Sequence, residues 1–159
     1  MPRIGLISDT HGRVRRAALR ALRGCAVVLH AGDVGGPGVL DALRALAPVH
    51  AVRGNVDDPF QPDLAEHVEL TIAGCRVHVV HGHQWGSPTP ERLAGAIDAE
   101  VIVFGHTHRA LVRSVGRTLV VNPGSAGPSR FGLPATVGFL ELAPGRVAAT
   151  VVDLDPSDG

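Results

Sequence analysis

From residue 3 to about residue 53, short apolar runs alternate with amphipathic stretches, the arrangement of βαβ units that build a parallel sheet. Arg3 to Ser8 reads as a first strand. After it, Val14, Ala18, Ala21 and Leu22 share one helical face and Arg13, Arg16, Arg20 and Arg23 the other, with Gly24 as the stop. Ala26 to Ala31 is a second strand. Pro37 opens a helix that turns Val39, Leu40, Leu43 and Leu46 inward, and Val49 to Arg53 follows as a third strand. The second half changes rhythm. Val68 to Ile72 and Arg76 to Val80 flank Ala73 and Gly74 as a hairpin. Thr89 caps a helix that has Pro90 at its first position and runs to Ile97, and the strand Val101 to Phe104 follows. Two further hairpins pair Leu111–Val115 with Leu119–Val121 and Thr136–Leu142 with Val147–Leu154. The expected fold is mixed α/β, with parallel strands early and antiparallel strands late.

The chain has 159 residues, enough for one domain, expected over 1–154 with a frayed tail at 155–159. A globule of this length buries roughly 70% of its unfolded surface, so a metal would serve function rather than folding. Fifteen basic residues balance fifteen acidic ones, and five aromatics include no Tyr, so neither a membrane surface nor a long nucleic acid is an expected partner. All fifteen basic residues are Arg. Without Lys there is no Walker A lysine, no protein-kinase chemistry and no Schiff base. Cys25 and Cys75 stand apart with no CxxC pair, which suits a reducing compartment. No apolar run approaches the ~18 residues of a membrane span, and no leader-like segment opens the chain, so a cytoplasmic protein is expected.

Nine His in 159 residues is a high count, and four lie between 81 and 108. The strands end in Asp9-Thr10-His11-Gly12, Gly32-Asp33, Gly54-Asn55-Val56-Asp57, His81-Gly82-His83 and Gly105-His106-Thr107-His108. Ligands of open α/β sheets bind outside the carboxyl ends of the strands, so these five clusters should converge. Carboxylate, amide and imidazole donors without thiolate suit Mn, Fe, Zn or Ni. They are too many for one ion. Two ions about 3.5 to 4 Å apart, sharing a bridging carboxylate and a hydroxide, would use them, and such a pair drives in-line displacement at phosphorus.

This ordered set, together with Asn122-Pro123-Gly124-Ser125, resembles the calcineurin-like metallophosphoesterases. More narrowly it is similar to the small bacterial and archaeal YfcE-type phosphodiesterases, relatives of the retromer subunit of eukaryotes. The resemblance spans nearly the whole chain. It implies a four-layer α/β/β/α sandwich around two mixed sheets, and a hydrolase that cleaves phosphoric esters, foremost diesters, with two divalent ions, Mn2+ foremost and Fe, Ni or Zn as alternatives. It also implies roles: Asp9, His11 and His108 for one ion, Asn55, His81 and His106 for the other, and Asp33 bridging them. Asn55 would also lie against the substrate phosphate. The Asn122–Ser125 turn is expected to shape a loop near the site. The resemblance allows a homo-oligomer.

Many superfamily members carry His directly after the motif Asn, where it protonates the leaving group; here Val56 stands there. General acid catalysis is worth roughly 10²- to 10⁴-fold, so good leaving groups are favoured unless another residue substitutes. His83 is either that substitute or a residue that orients a ligand. Asp57 is expected to support a loop, and His30, His50, His67 and His78 are expected to be structural. Trp85 either lines the pocket mouth or packs as a plug. Arg53 and Arg109 flank ligand motifs and are expected to be solvated, with contact to phosphate as the alternative. Gly32 to Gly38 is a flexible rim and fits no nucleotide motif, and Ser125 lacks a GxSxG setting. Two other functions remain open: a monoesterase or nucleotidase on the same ions, and a protein-binding scaffold like the retromer relative.

Overall fold

A computed structural model describes residues 2–129 and 131–156. The chain runs β1 (Arg3–Ile7), α1 (Arg16–Leu22), β2 (Val27–His30), α2 (Pro37–Arg44), β3 (Val49–Ala51), β4 (His67–Ile72), β5 (Cys75–Val80), α3 (Pro90–Ala96), β6 (Val101–Val103), β7 (Leu111–Val115), β8 (Thr118–Asn122), β9 (Thr136–Ala143) and β10 (Arg146–Asp153). The strands form two five-stranded sheets, ordered β10-β9-β1-β2-β3 and β4-β5-β6-β8-β7. Both are mixed. In the first, β1 pairs parallel with β2 and antiparallel with β9; in the second, β6 pairs parallel with β5 and β8.

Three apolar clusters set the layers. Ile4 and Leu6 of β1, Val77 and Val79 of β5, and Val101 and Val103 of β6 meet between the sheets. The alternate residues point outward, as a two-residue period requires. Ile7 and Val28 pack under Ala18 and Leu22 of α1 and Leu40 and Leu43 of α2, while Ile102 and Phe104 pack under Leu93 of α3. Helices therefore cover both outer faces, and the result is the four-layer α/β/β/α sandwich.

Local chemistry explains the element ends. Thr89 accepts a hydrogen bond from Arg92 N at 3.2 Å and caps α3. Ala73 and Gly74 turn the β4–β5 hairpin with φ of 50° and 80°. Helix α1 begins at Arg16 rather than near Val14, because Arg15 is extended (φ −68°, ψ 147°) and reaches Gly127 O with its guanidinium. Helix α2 stops at Arg44, short of Leu46, since Pro48 disfavours helical backbone before it. The third strand closes at Ala51, and Val52 makes a lone bridge to Ala65. Leu154 N–H donates to Ala135 O at 2.8 Å, which ties down the end of β10. Of the tail expected at 155–159, residues 157–159 lie outside the described residues.

Candidate metal centre

The carboxyl ends of β1, β2 and β3 in one sheet and of β5 and β6 in the other meet at one edge of the sandwich. Backbone bonds join their loops: Asp9 N–H donates to Gly32 O, His11 N–H to Asp33 O and Gly105 N–H to His81 O, each at 3.0 Å. Side chains at two positions would prevent this approach. A methyl on Gly54 would overlap the Asp33 carboxylate, and one on Gly105 would overlap Ser8 Oγ and stand 2.8 Å from Asp9 Oδ2. Seven non-glycine residues have positive φ among the described residues, and five of them are Asp9 (55°), His11 (50°), Asp33 (55°), His106 (71°) and His108 (62°). Left-handed backbone costs such residues on the order of 1–3 kcal/mol each, so the loops store strain where the candidate ligands sit.

Two carboxylate oxygens organise the side chains. Asp9 Oδ1 lies 3.4 Å from His108 Nε2, 3.9 Å from His81 Nε2 and 4.0 Å from His11 Nε2. Asp33 Oδ2 lies 3.3 Å from His81 Nε2 and 3.8 Å from His11 Nε2. Asp33 thus spans the His11 and His81 sides, as a bridging carboxylate would. His11 and His108 face each other, Nε2 to Nε2, at 3.4 Å. Asn55 Oδ1 stands 3.1 Å from His81 Nε2, and the His106 ring meets the His81 ring edge-on at 5.2 Å between centroids. All seven sequence-derived residues are therefore gathered at one place. Asp9 belongs to two tight donor clusters, one with His11 and His108 and one with Asp33 and His81. Asn55 reaches the group through its contact with His81, and His106 through the His81 ring and its own backbone N–H, which donates to Asp9 Oδ2 at 3.3 Å.

The donor chemistry fits cations. His81 Nδ1 donates to Ala31 O at 2.8 Å, so in the neutral ring Nε2 carries a lone pair, and it faces the acceptors Asp33 Oδ2 and Asn55 Oδ1. Three buried side-chain atoms lack a hydrogen-bond partner among the described residues, Asp9 Oδ1, His83 Nδ1 and His108 Nδ1, and all three are here. A buried carboxylate oxygen without a donor is costly, and a divalent ion would satisfy it. Burial works against the Asp33 anion but is outweighed by the hydrogen bond and charge of His81, the Val56 N–H at 3.1 Å and His11, which together hold its carboxyl at about 2. Burial lowers His81 less than its contacts with Asp33, Asp9 and Ala31 raise it. Burial, then the neighbouring imidazoles, push His83 and His106 down.

Neighbouring residues hold this arrangement. Ser8 Oγ donates to Asp9 Oδ2 at 2.6 Å, and Ser125 Oγ donates to Asp9 O at 3.0 Å. Asn122 Nδ2 donates to Gly105 O and Thr107 Oγ1, so the Asn122–Ser125 turn shapes the His106–His108 loop. Asp57 accepts from the N–H groups of Val34, Gly35 and Gly54. Arg53 is engaged by Pro59 O and by Glu66 at 3.0 Å, which makes it a brace of its own loop. The Arg109 guanidinium lies over the exposed Phe131 ring at 5.7 Å. Trp85 packs against the Val80–Phe104 cluster, as a plug does. His83 has its ring 5.4 Å from that of His81. The anchoring by Ser8 has no sequence signal, since a serine ending a strand is commonplace.

A family model for the calcineurin-like phosphoesterase superfamily domain matches residues 2–145. A probable metallophosphoesterase of Methanothermobacter thermautotrophicus is 33% identical over 142 residues, which cover 84% of this chain and 83% of that one. The phosphodiesterase YfcE of Escherichia coli K12 is 30% identical over 165 residues, covering 89% and 88% respectively. Among solved structures, wild-type Vps29 complexed with Zn2+ from Entamoeba histolytica superposes with a TM-score of 0.78 at 27% identity, covering 95% of this chain and 98% of that one. With the motif order, the fold and the donor cluster all in agreement, the chain belongs to the calcineurin-like phosphoesterase superfamily.

Proposed function

We propose that this single domain, residues 1–154, hydrolyses small phosphate diesters in the cytoplasm with two divalent transition-metal ions, Mn2+ foremost. The observation that carries the reading is the pair of carboxylate oxygens, Asp9 Oδ1 and Asp33 Oδ2, each facing imidazole nitrogens from both sheets. Asp9, His11 and His108 would hold one ion, Asn55, His81 and His106 the other, and Asp33 both. When bound, the ions supply Lewis acidity and an acidified water for in-line displacement at phosphorus. The chain's own groups do the rest. Val56 N–H fixes the Asp33 carboxylate, and His81 is oriented by Ala31 O. Asn55 is exposed at the rim with its carbonyl on His81, which leaves its amide N–H₂ for a phosphate oxygen. The Val56 side chain is 56% exposed and donates no proton, so esters with good leaving groups are favoured. Two buried free thiols, Cys25 and Cys75, suit a reducing compartment.

The test is Asp33→Ala. Elemental analysis should show loss of close to two bound ions per chain, and turnover of bis(p-nitrophenyl) phosphate should vanish; undiminished turnover refutes the reading. A parallel assay with p-nitrophenyl phosphate separates diester from monoester preference. The likeness to Vps29 supports a second reading, a protein-binding scaffold, and a metal-poor, inert wild-type protein would select it.

A further inference from the structure

Between Thr10 and Gly32 the sequence holds five arginines, at 13, 15, 16, 20 and 23, and no Asp or Glu. A chain of zero net charge thus carries a run of cationic residues directly after the β1 ligand loop. Two of these side chains, Arg13 and Arg15, line a cavity of about 260 Å³ with Gly127 and Pro128. Arg15 donates from Nε and Nη2 to Gly127 O at 3.3 and 3.0 Å. This fixes its guanidinium and leaves three of its five N–H hydrogens for a ligand. Arg13 has no side-chain hydrogen bond or ion pair with any described residue. The cavity adjoins the candidate metal centre. Gly127 lies so close to the Asp9–Thr10 peptide that a methyl on it would overlap Asp9 O. Arg13 follows His11 by two residues, and Pro128 borders a narrow gap that it shares with His108.

We infer that this cavity is an anion subsite that takes a second phosphate group of the substrate, a monoester phosphate carried on one arm of the diester. The inference rests on the phosphodiesterase reading and narrows its substrate class. A terminal phosphate offers the dense, doubly charged set of acceptors that a held guanidinium and a second, unpaired one recognise. A diester whose arms are uncharged leaves Arg13 and the three remaining N–H hydrogens of Arg15 without an anionic partner.

The metal-loaded protein is assayed with the p-nitrophenyl ester of thymidine monophosphate, with and without a further phosphate on the free sugar hydroxyl. In the wild type the added phosphate should lower KM about tenfold, the scale of one charge-assisted hydrogen bond. In Arg13→Gln that advantage should shrink to within about twofold. Equal KM values in the wild type, or an advantage that survives in Arg13→Gln, overturns the subsite. If neither ester is turned over, the phosphodiesterase reading falls, and calorimetric titration decides the subsite separately. Thymidine bisphosphate binding more tightly than thymidine monophosphate, with the difference lost in Arg13→Gln, upholds it; equal affinities overturn it.

Discussion

At the scale of single residues, the candidate ligands are held by neighbours whose chemistry can be tested on its own. Asp57 is 9% exposed and accepts three backbone N–H bonds that join the loops after β2 and β3. Asp57→Asn would turn an N–H₂ group toward at least one of those donors. Denaturant titration should show a loss of about 1.5–3 kcal/mol, the range for hydrogen bonds to charged groups. His30 is buried beneath the site. Thr10 Oγ1 gives its single proton to Val34 O, so His30 Nε2 donates to Thr10 Oγ1, and His30 Nδ1 accepts from Gly32 N–H. The ring is neutral, and burial, only partly offset by nearby carboxylates, lowers it to about 4. Below the ordinary histidine value of 6.5 the unfolded chain takes up a proton that the folded chain refuses until about 4. Stability therefore falls as pH drops through that window, by about 3 kcal/mol at most. His30→Gln in the presence of a chelator should lose less stability than the wild type between neutral pH and pH 4; equal losses would remove His30 as the cause.

At the scale of elements, short helices and strands depend on their ends. Helix α3 has seven residues, and Thr89 satisfies one of its free N–H groups. Such a helix is marginal alone and stands through its cap and through Leu93 and Ile97 packed on Ile102 and Phe104. Thr89→Ala should cost about 1 kcal/mol, read as a shift in denaturation midpoint with an unchanged slope. Bis(p-nitrophenyl) phosphate turnover should survive, because α3 contributes no candidate ligand. Helix α1 shows the opposite compromise. Its first turn is given up so that Arg15 can reach Gly127 O, which brings the 127–128 segment against the β1 loop.

At the scale of the whole molecule, the centre lies across the seam between two sheets, so cations held there would join them. Metal-loaded protein should melt several degrees above chelated protein, since about 2 kcal/mol corresponds to several degrees in a domain of this size. Equal melting temperatures would deny that coupling. The imidazole donors bind cations only when neutral, so protons compete with the ions and metal retention and activity should fall together on acidification; activity that persists after the ions are lost would oppose the metal reading.

Much of the fold and the candidate site was legible in the sequence because it is written locally. Strands and helices follow from apolar periodicity, hairpins from turn residues such as Ala73 and Gly74, and the candidate donors from glycine-flanked Asp, Asn and His placed directly after apolar runs. The tertiary structure alone decided the rest. That β9 returns to pair with β1, that Asp9 Oδ1 faces imidazoles from both β5 and β6 loops, and that Arg15 reaches Gly127 and borders a cavity all depend on contacts between residues far apart in the chain. No window of sequence contains both partners of such a contact. The left-handed backbone at Asp9, His11, Asp33, His106 and His108 belongs with these, since local preference disfavours it and only the packing around those loops holds it in place.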